Sequence, residues 1–374
     1  MFLTLENILT NTNYHIDIPL KKSEKWRLSG FHRILEQKYQ LSLKENEYKE
    51  EFIRPKEGYW IYFRDGDIKD SLLPKSVQVK RKTKSIDIKD NPFALMSSNN
   101  SLSSVELSFT EDVYVKIFFI YSNKIFITSC LGLNLEEGVN VGVSISLNGA
   151  NQSFVAHNLI TQLKQDASLN LTQIQELEES GVLITQNTFD LKSHSTCNTF
   201  LLTHKGSYLQ NFVHAELDFN SSMNITALLL SDLKQREFFS CDILHKKDSA
   251  KSNVYVKDVL KSESTCVFDV TTTIEKQTKG SIAYQANHAL LLDDGAHVHS
   301  KPHLQIYSDD LMASHGCTVG ELDEEAILYL LTRGISYIKA KQILVTAFID
   351  DSISMVDSRS LGDVMEVLGD DYAS

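Results

Sequence analysis

Between Ser314 and Cys317 the chain reads "SHGC", and it continues as "TVGELDEEAILYLLTRG" to Gly334. An imidazole and a thiol two residues apart can ligate a soft or borderline metal, or attack sulfur once the thiol is ionised. Gly316 between them lets a ligand approach the backbone closely. A helix is signalled just downstream, and a cysteine near a helix N-terminus has a lowered pKa. His315 and Cys317 are therefore candidates for metal or sulfur chemistry. The plainer alternative is an ordinary histidine and a small buried residue in the segment that feeds the helix. Four of the chain's histidines lie close upstream: His288, His297, His299 and His303. His297 and His299 share one face of an extended segment, a workable metal spacing, although two solvated side chains beside a turn are the plainer reading. The acid pairs Asp293 with Asp294 and Asp309 with Asp310 could serve a carbohydrate-active β-helix enzyme, or simply lie in solvated loops.

Other catalytic patterns are missing. The sequence holds no GxxxxGK[ST] loop, GxSxG, HExxH or CxxC pair, so no nucleotide is bound through a P-loop. The glycines of "GVNVGV" do not open a helix and give only a weak dinucleotide signal.

The elements that must carry these residues fall into three regions. Residues 1–90 form an N-terminal helical or mixed domain, where Ser29 can cap a helix whose Phe31, Ile34, Leu35 and Tyr39 follow at helical spacing. The basic run "KSVQVKRKTKSIDIKDNP" that closes it reads as a solvated strand or linker in preference to a phosphate contact. Residues 91–305 form the β core, a long series of short strands such as "VYVKIFFI", "GVLITQNTF" and "TCVFDVTTTI". Pro92 and Pro302 sit only at its edges, as a continuous sheet interior demands. Without a strict short repeat, this pattern fits either a large sandwich or an irregular parallel β-helix.

Residues 306–374 form a helical, acidic domain. Asp323 is an N-cap with Glu324 and Glu325 in the first turn, and Leu322 can staple to Ile327. Ile327, Leu328, Leu330 and Leu331 make an apolar face, and Gly334 occupies the left-handed stop position. Ser336 then caps a second helix with Ile343, Leu344, Ala347 and Phe348 facing inward. From Ile306 onward 13 Asp and Glu face 4 Lys and Arg, which suits a protein partner and excludes DNA-groove binding by this helix pair.

Charge and composition limit the partners further. The 374 residues carry a net charge of −12, which disfavours both nucleic acid and anionic membrane. No apolar run reaches the ~20 residues of a spanning helix. Five scattered cysteines without paired spacing, and a start that lacks signal- or transit-peptide character, make the cytoplasm the expected compartment. In that compartment triplets such as Asn170-Leu171-Thr172 carry no glycosylation meaning.

The run "KPHLQIYSDDLMASHGCTVGELDEEAILYLLTRGI", Lys301 to Ile335, resembles the carboxy-terminal signature of the SufB/SufD family of iron–sulfur cluster assembly scaffolds. Weaker resemblances lie in "NPFALMSS", "ILHKKDSAKSNVYVKDVL" and "CVFDVTTTIEKQTKGSIAYQANHALLLDD". The glycine of Ser-His-Gly is similar to the SufD branch, since SufB chains have Glu there. SufB chains also carry a cysteine where this chain offers Asn287 or His288. The resemblance implies a right-handed parallel β-helix between helical domains, and a non-enzymatic subunit that binds no nucleotide itself. It also implies a SufB-like partner at the edge carrying Gln285 to His303, with a homodimer as another arrangement. A SufC-like ATPase would dock on the C-terminal helices through Leu328, Tyr329 and Arg333. His315 matches the family histidine that helps hold a nascent iron–sulfur cluster. Cys317 replaces the usual alanine, either as an added ligand or as a small buried residue. The other readings are a stand-alone carbohydrate-active enzyme and a purely structural paralogue.

Overall fold

The computed structural model describes residues 2–11, 28–40, 52–81 and 104–372. The "NPFALMSS" segment at 91–98, with Pro92, and the basic run beyond Arg81 lie outside these residues. The chain opens with β1 (Phe2–Thr4) and α1 (Leu5–Asn11). The helix expected from Ser29 to Tyr39 is instead one 3₁₀ turn, Phe31–Arg33, followed by β2 (Lys38–Gln40). Two local facts explain the difference. Gly30 is left-handed at φ 74, and β2 pairs antiparallel with β1, which commits its backbone to a ladder. The four apolar residues are buried all the same. Together with Leu5, Ile8 and Leu9 they pack on a column of outward side chains that includes Phe126, Phe154, Val182 and Tyr208.

Beyond this segment two sheets run the length of the molecule as a parallel β-helix. The hairpin of β3 (Tyr59–Arg64) and β4 (Asp67–Leu72) starts one sheet, and β5 (Val77–Arg81) starts the other. β5 is an edge strand with four of its five residues exposed, so this part of the basic run is a solvated strand. The nine-stranded sheet adds β6 (Ser104–Phe109), β8 (Phe126–Leu135), β10 (Phe154–Leu163), β12 (Val182–Leu191), β14 (Tyr208–Leu217), β16 (Arg236–His245), β18 (Thr265–Ile274) and β20 (His297–Ile306). The ten-stranded sheet adds β7 (Val113–Tyr121), β9 (Asn140–Gly149), β11 (Ser168–Leu177), β13 (Thr196–His204), β15 (Ser222–Ser231), β17 (Lys251–Leu260), β19 (Ser281–Leu291) and β21 (Leu311–Glu321). Strands thus extend on both sides of the interval 91–305. In particular, β21 places Ser314 to Cys317 on the last rung, not in a loop before a helix.

The rungs repeat irregularly. Phe126 pairs with Phe154 and Phe154 with Val182, 28 residues apart each time, but Val182 pairs with Tyr208 after 26 and Thr265 with His297 after 32. The corners seldom use glycine. Asp166, His194, Asn220 and Ser249 take the left-handed conformation, and each donates its N–H to a carbonyl of the next rung. These bonds between stacked turns hold residues in a conformation that costs about 1–2 kcal/mol.

Alternation sorts side chains between the lumen and the outside. Inward columns are mostly Val, Ile, Leu and Phe, with Phe63 stacked on Phe119 at 4.3 Å and Phe239 on Phe268 at 6.3 Å. Outward, the Asn198 amide donates to Asn170 and that of Asn224 to Asn198, both at 2.9 Å, so the Asn170 side chain belongs to an amide ladder.

Three helices follow β21: α2 (Glu324–Thr332), α3 (Tyr337–Ile353) and α4 (Leu361–Tyr372). Asp323 caps α2 by accepting from Glu325 and Ala326, Gly334 stops the turn at φ 83, and Ser336 caps α3. The inward stripe of α3 is Ala340, Val345, Ile349 and Ser352, with Phe348 partly buried beside it as expected, whereas Ile343, Leu344 and Ala347 lie off the stripe. The rotation has a cause. Val345 and Ile349 join Val364 and Leu368 of α4 over Phe200, Leu202, Leu228, Leu230, Val259 and Leu290 on the outside of the ten-stranded sheet. Polar contacts fasten the helices there. Lys257 reaches Asp351 at 2.5 Å and lies 4.5 Å above the Phe348 ring, and Lys116 reaches Asp363 at 2.6 Å.

Candidate functional site

β20 and β21 end the two sheets, and among the described residues nothing pairs beyond them. Each therefore presents a row of unpaired backbone groups, ready to accept another strand. Pro302 sits in such an edge strand, with a neighbour on one side only, where a proline is tolerated. The expected edge of Gln285 to His303 is correct for β20 but not for β19. β19 is paired on both sides, so β21 is its outer neighbour and the true edge.

Register fixes what this end displays. His315 lies opposite Gln285 and Cys317 opposite Asn287, and both of those partners are buried in the lumen. His315 and Cys317 consequently occupy lumen-facing positions of a rung that no further rung covers. Both are exposed, so the alternative of Cys317 as a small buried residue does not hold. Ser300, in the lumen-facing column of β20, receives the Asn287 amide at 3.0 Å and lies beside the Cys317 thiol. Partial desolvation raises the Cys317 thiol above its usual range, and the Ser300 contact offsets this only in part. The lowered pKa expected from a helix N-terminus is thus reversed, because Cys317 lies within a strand. The other four cysteines are buried.

The remaining histidines do not join His315. His297, His299 and His303 lie on the outward face of β20, on the opposite side of the sheet from Ser300. Among the described residues no three His, Cys, Asp or Glu side chains meet to hold a metal ion. His288 points outward from β19, where its Nδ1 lies 2.7 Å from Thr318 Oγ1 and its ring 5.4 Å from that of Tyr255. Desolvation, and then the Lys257 charge, lower its pKa. The acid pairs lie in turns. Asp293 accepts the Ser262 N–H at 2.7 Å, while Asp309 and Asp310 lie between β20 and β21.

On α2 only Ile327 is buried. Leu328 and Tyr329 are 61% and 59% exposed, and the Arg333 guanidinium lies 5.2 Å above the Tyr329 ring. The helix so presents an uncovered apolar face one short connection from β21.

Residues missing from the sequence reading lie two rungs inside the open end. Glu237 and Asp258 are wholly buried in the lumen with no cationic partner among the described residues, and burial raises both carboxyls to about 7. Their signal was their parity. Glu237 alternates in phase with Phe239, Cys241 and Ile243, and Asp258 with Val254, Val256 and Leu260, all of them core residues.

The fold is thus a parallel β-helix whose last rung is unpaired, with an apolar helical face beside it. Residues 119–348 match the family model described as SUF system FeS cluster assembly, SufBD core domain, and the chain belongs to that family. It is 27% identical over 224 residues to the iron–sulfur cluster assembly protein SufD of Escherichia coli, covering 58% of this chain and 52% of that one. It is 28% identical over 116 residues to SufD of Bacillus subtilis, covering 31% and 26%. A chloroplastic protein of Arabidopsis thaliana, ABCI7, is 31% identical over 121 residues, covering 32% and 26%. The chain thus spans about half the length of the first of these relatives and about a quarter of the other two. No helix among the described residues is long and apolar enough to cross a membrane.

Proposed function

We propose that this chain is a SufD-like scaffold subunit of a SufBCD-type complex in the cytoplasm, and that it catalyses no reaction itself. The observation that carries this reading is the place of His315 and Cys317 on the lumen side of an unpaired terminal rung. A SufB-like subunit adds to the β20 and β21 edge, where strand pairing satisfies the open backbone groups. The iron–sulfur cluster is cargo at this seam. His315 supplies a borderline imidazole ligand, Cys317 a thiolate beside it, and the partner completes the set. A SufC-like ATPase binds the nucleotide and docks on α2 and α3 through Leu328, Tyr329 and Arg333.

Co-expression with a SufB-like and a SufC-like chain tests the assignment. The expected result is one assembly containing all three subunits that acquires iron and sulfide. Recovery of this chain alone under those conditions would refute it.

A further inference from the structure

The wholly buried acids Glu237 and Asp258 stand out because no cation among the described residues pairs with them. Glu237 Oε2 accepts from Ser231 Oγ at 2.9 Å and from Gln235 Nε2 at 3.3 Å, and Asp258 Oδ1 accepts from the Cys266 thiol at 3.6 Å. Glu237 Oε1, Asp258 Oδ2 and the nearby Asn287 Oδ1 have no partner. Two ionised carboxylates in such a lumen would carry a prohibitive desolvation cost, whereas protons neutralise them and supply two new donors. The lumen-facing titratable groups around them are His245 and Cys241 on β16 itself, Cys266 on β18, Cys197 on β13, and His315, Cys317 and Glu321 on β21. Lys257, on the same strand as Asp258, points outward to Asp351. β15, β19 and β20 contribute only neutral lumen side chains. Burial keeps His245 neutral, with its Nε2 2.8 Å from Ser252 Oγ.

One more contact turns this pair into a device. The Asn287 amide lies beside Asp258 and donates to Ser300 at 3.0 Å, which pins β19 to β20 across the open end. We propose that Glu237 and Asp258 form an internal proton-binding site that sets how firmly the open end of the β-helix is pinned. With both acids protonated, the Asn287 amide stays on Ser300 and the last rung is held. Loss of a proton from Asp258 creates a charged acceptor, whose hydrogen bond is about twice as strong as a neutral one, and draws the amide inward. The end then loosens. Any strand added to β20 or β21 would meet a better ordered edge in the protonated state.

The sign of the pH dependence follows from burial. From the ordinary carboxylate range up to about pH 7, the folded chain keeps protons that the unfolded chain has released. Stability therefore falls as pH rises through that window and levels off above it.

Amide hydrogen exchange on the full chain, corrected for intrinsic chemistry, tests this at about pH 5 and about pH 8.5, either side of both carboxyls. In the native protein, protection of β20 and β21 is expected to fall several-fold at the higher pH. Asp258→Asn, and independently Glu237→Gln, should flatten that dependence and leave both strands better protected than the native chain at high pH. An absent fall in the native protein would overturn the proposal, as would an undiminished fall in both variants. Glu237→Gln decides the matter should Asp258→Asn not fold.

Discussion

Replacing His315 by Ala is expected to stop cluster formation while leaving the fold and the assembly intact. The two halves of that result have separate physical grounds. His315 is exposed on an edge strand, so its removal opens no cavity, and substitutions at such positions usually change stability by no more than about 0.5 kcal/mol. The backbone groups of β21 that a partner strand would use are unchanged by the substitution. The imidazole, however, is the one strong neutral ligand on the lumen side of the last rung. Losing a partner of a metal ligand already costs ~10–100-fold in metal affinity or activity, and losing a ligand itself should cost more. Iron and acid-labile sulfide per complex, with the visible absorbance of the reconstituted assembly, measure the loss, while size-exclusion chromatography reports the assembly. Full maturation by the variant would leave only the reading of a structural paralogue.

The second large effect is expected on α2. Leu328→Asp combined with Tyr329→Ala should abolish capture of a SufC-like ATPase with β20 and β21 undisturbed. Both side chains are mostly exposed, so the helix keeps its Asp323 cap and its buried Ile327. Aromatic and arginine anchors dominate interfaces, and truncating a central one costs about 2 kcal/mol or more, roughly thirtyfold in affinity. Tyr329, exposed with Arg333 above its ring, has the chemistry of such an anchor. Calorimetric titration of the ATPase into the variant reads the effect. Binding as tight as that of the native chain would place the dock elsewhere.

The sequence disclosed the elements with strong local signals. Alternation marked the strands, and Asp323, Gly334 and Ser336 marked the ends of α2 and α3. It concealed what depends on distant neighbours. The uneven steps between Val182, Tyr208, Thr265 and His297 hide the rung repeat, and left-handed Asp166, His194 and Asn220 hide the corners because they are not glycines. β21 lacks an apolar alternation because no core lies over it, so "SHGC" looks like a loop before a helix. The Phe31 to Tyr39 segment has helical spacing, yet Gly30 and the ladder with β1 decide otherwise. The stripe of α3 differs from its spacing, apart from Phe348, for a similar reason. Its face is chosen by Leu228, Leu230 and Val259 on the sheet beneath, more than a hundred residues earlier for the first two. Resemblance, not spacing, singled out His315 from its four neighbouring histidines, and register then set it on the open rung.

The central claim is that the lumen face of β21 is sealed by a sister subunit. Alkylation of Cys317 tests it most directly, because the other four cysteines are buried and one exposed thiol reports on that face alone. The free chain should label at Cys317, increasingly so as pH rises and the thiol ionises. In complex with a SufB-like subunit the same thiol should be protected. Equal labelling of Cys317 in the free chain and in the intact complex would contradict the account.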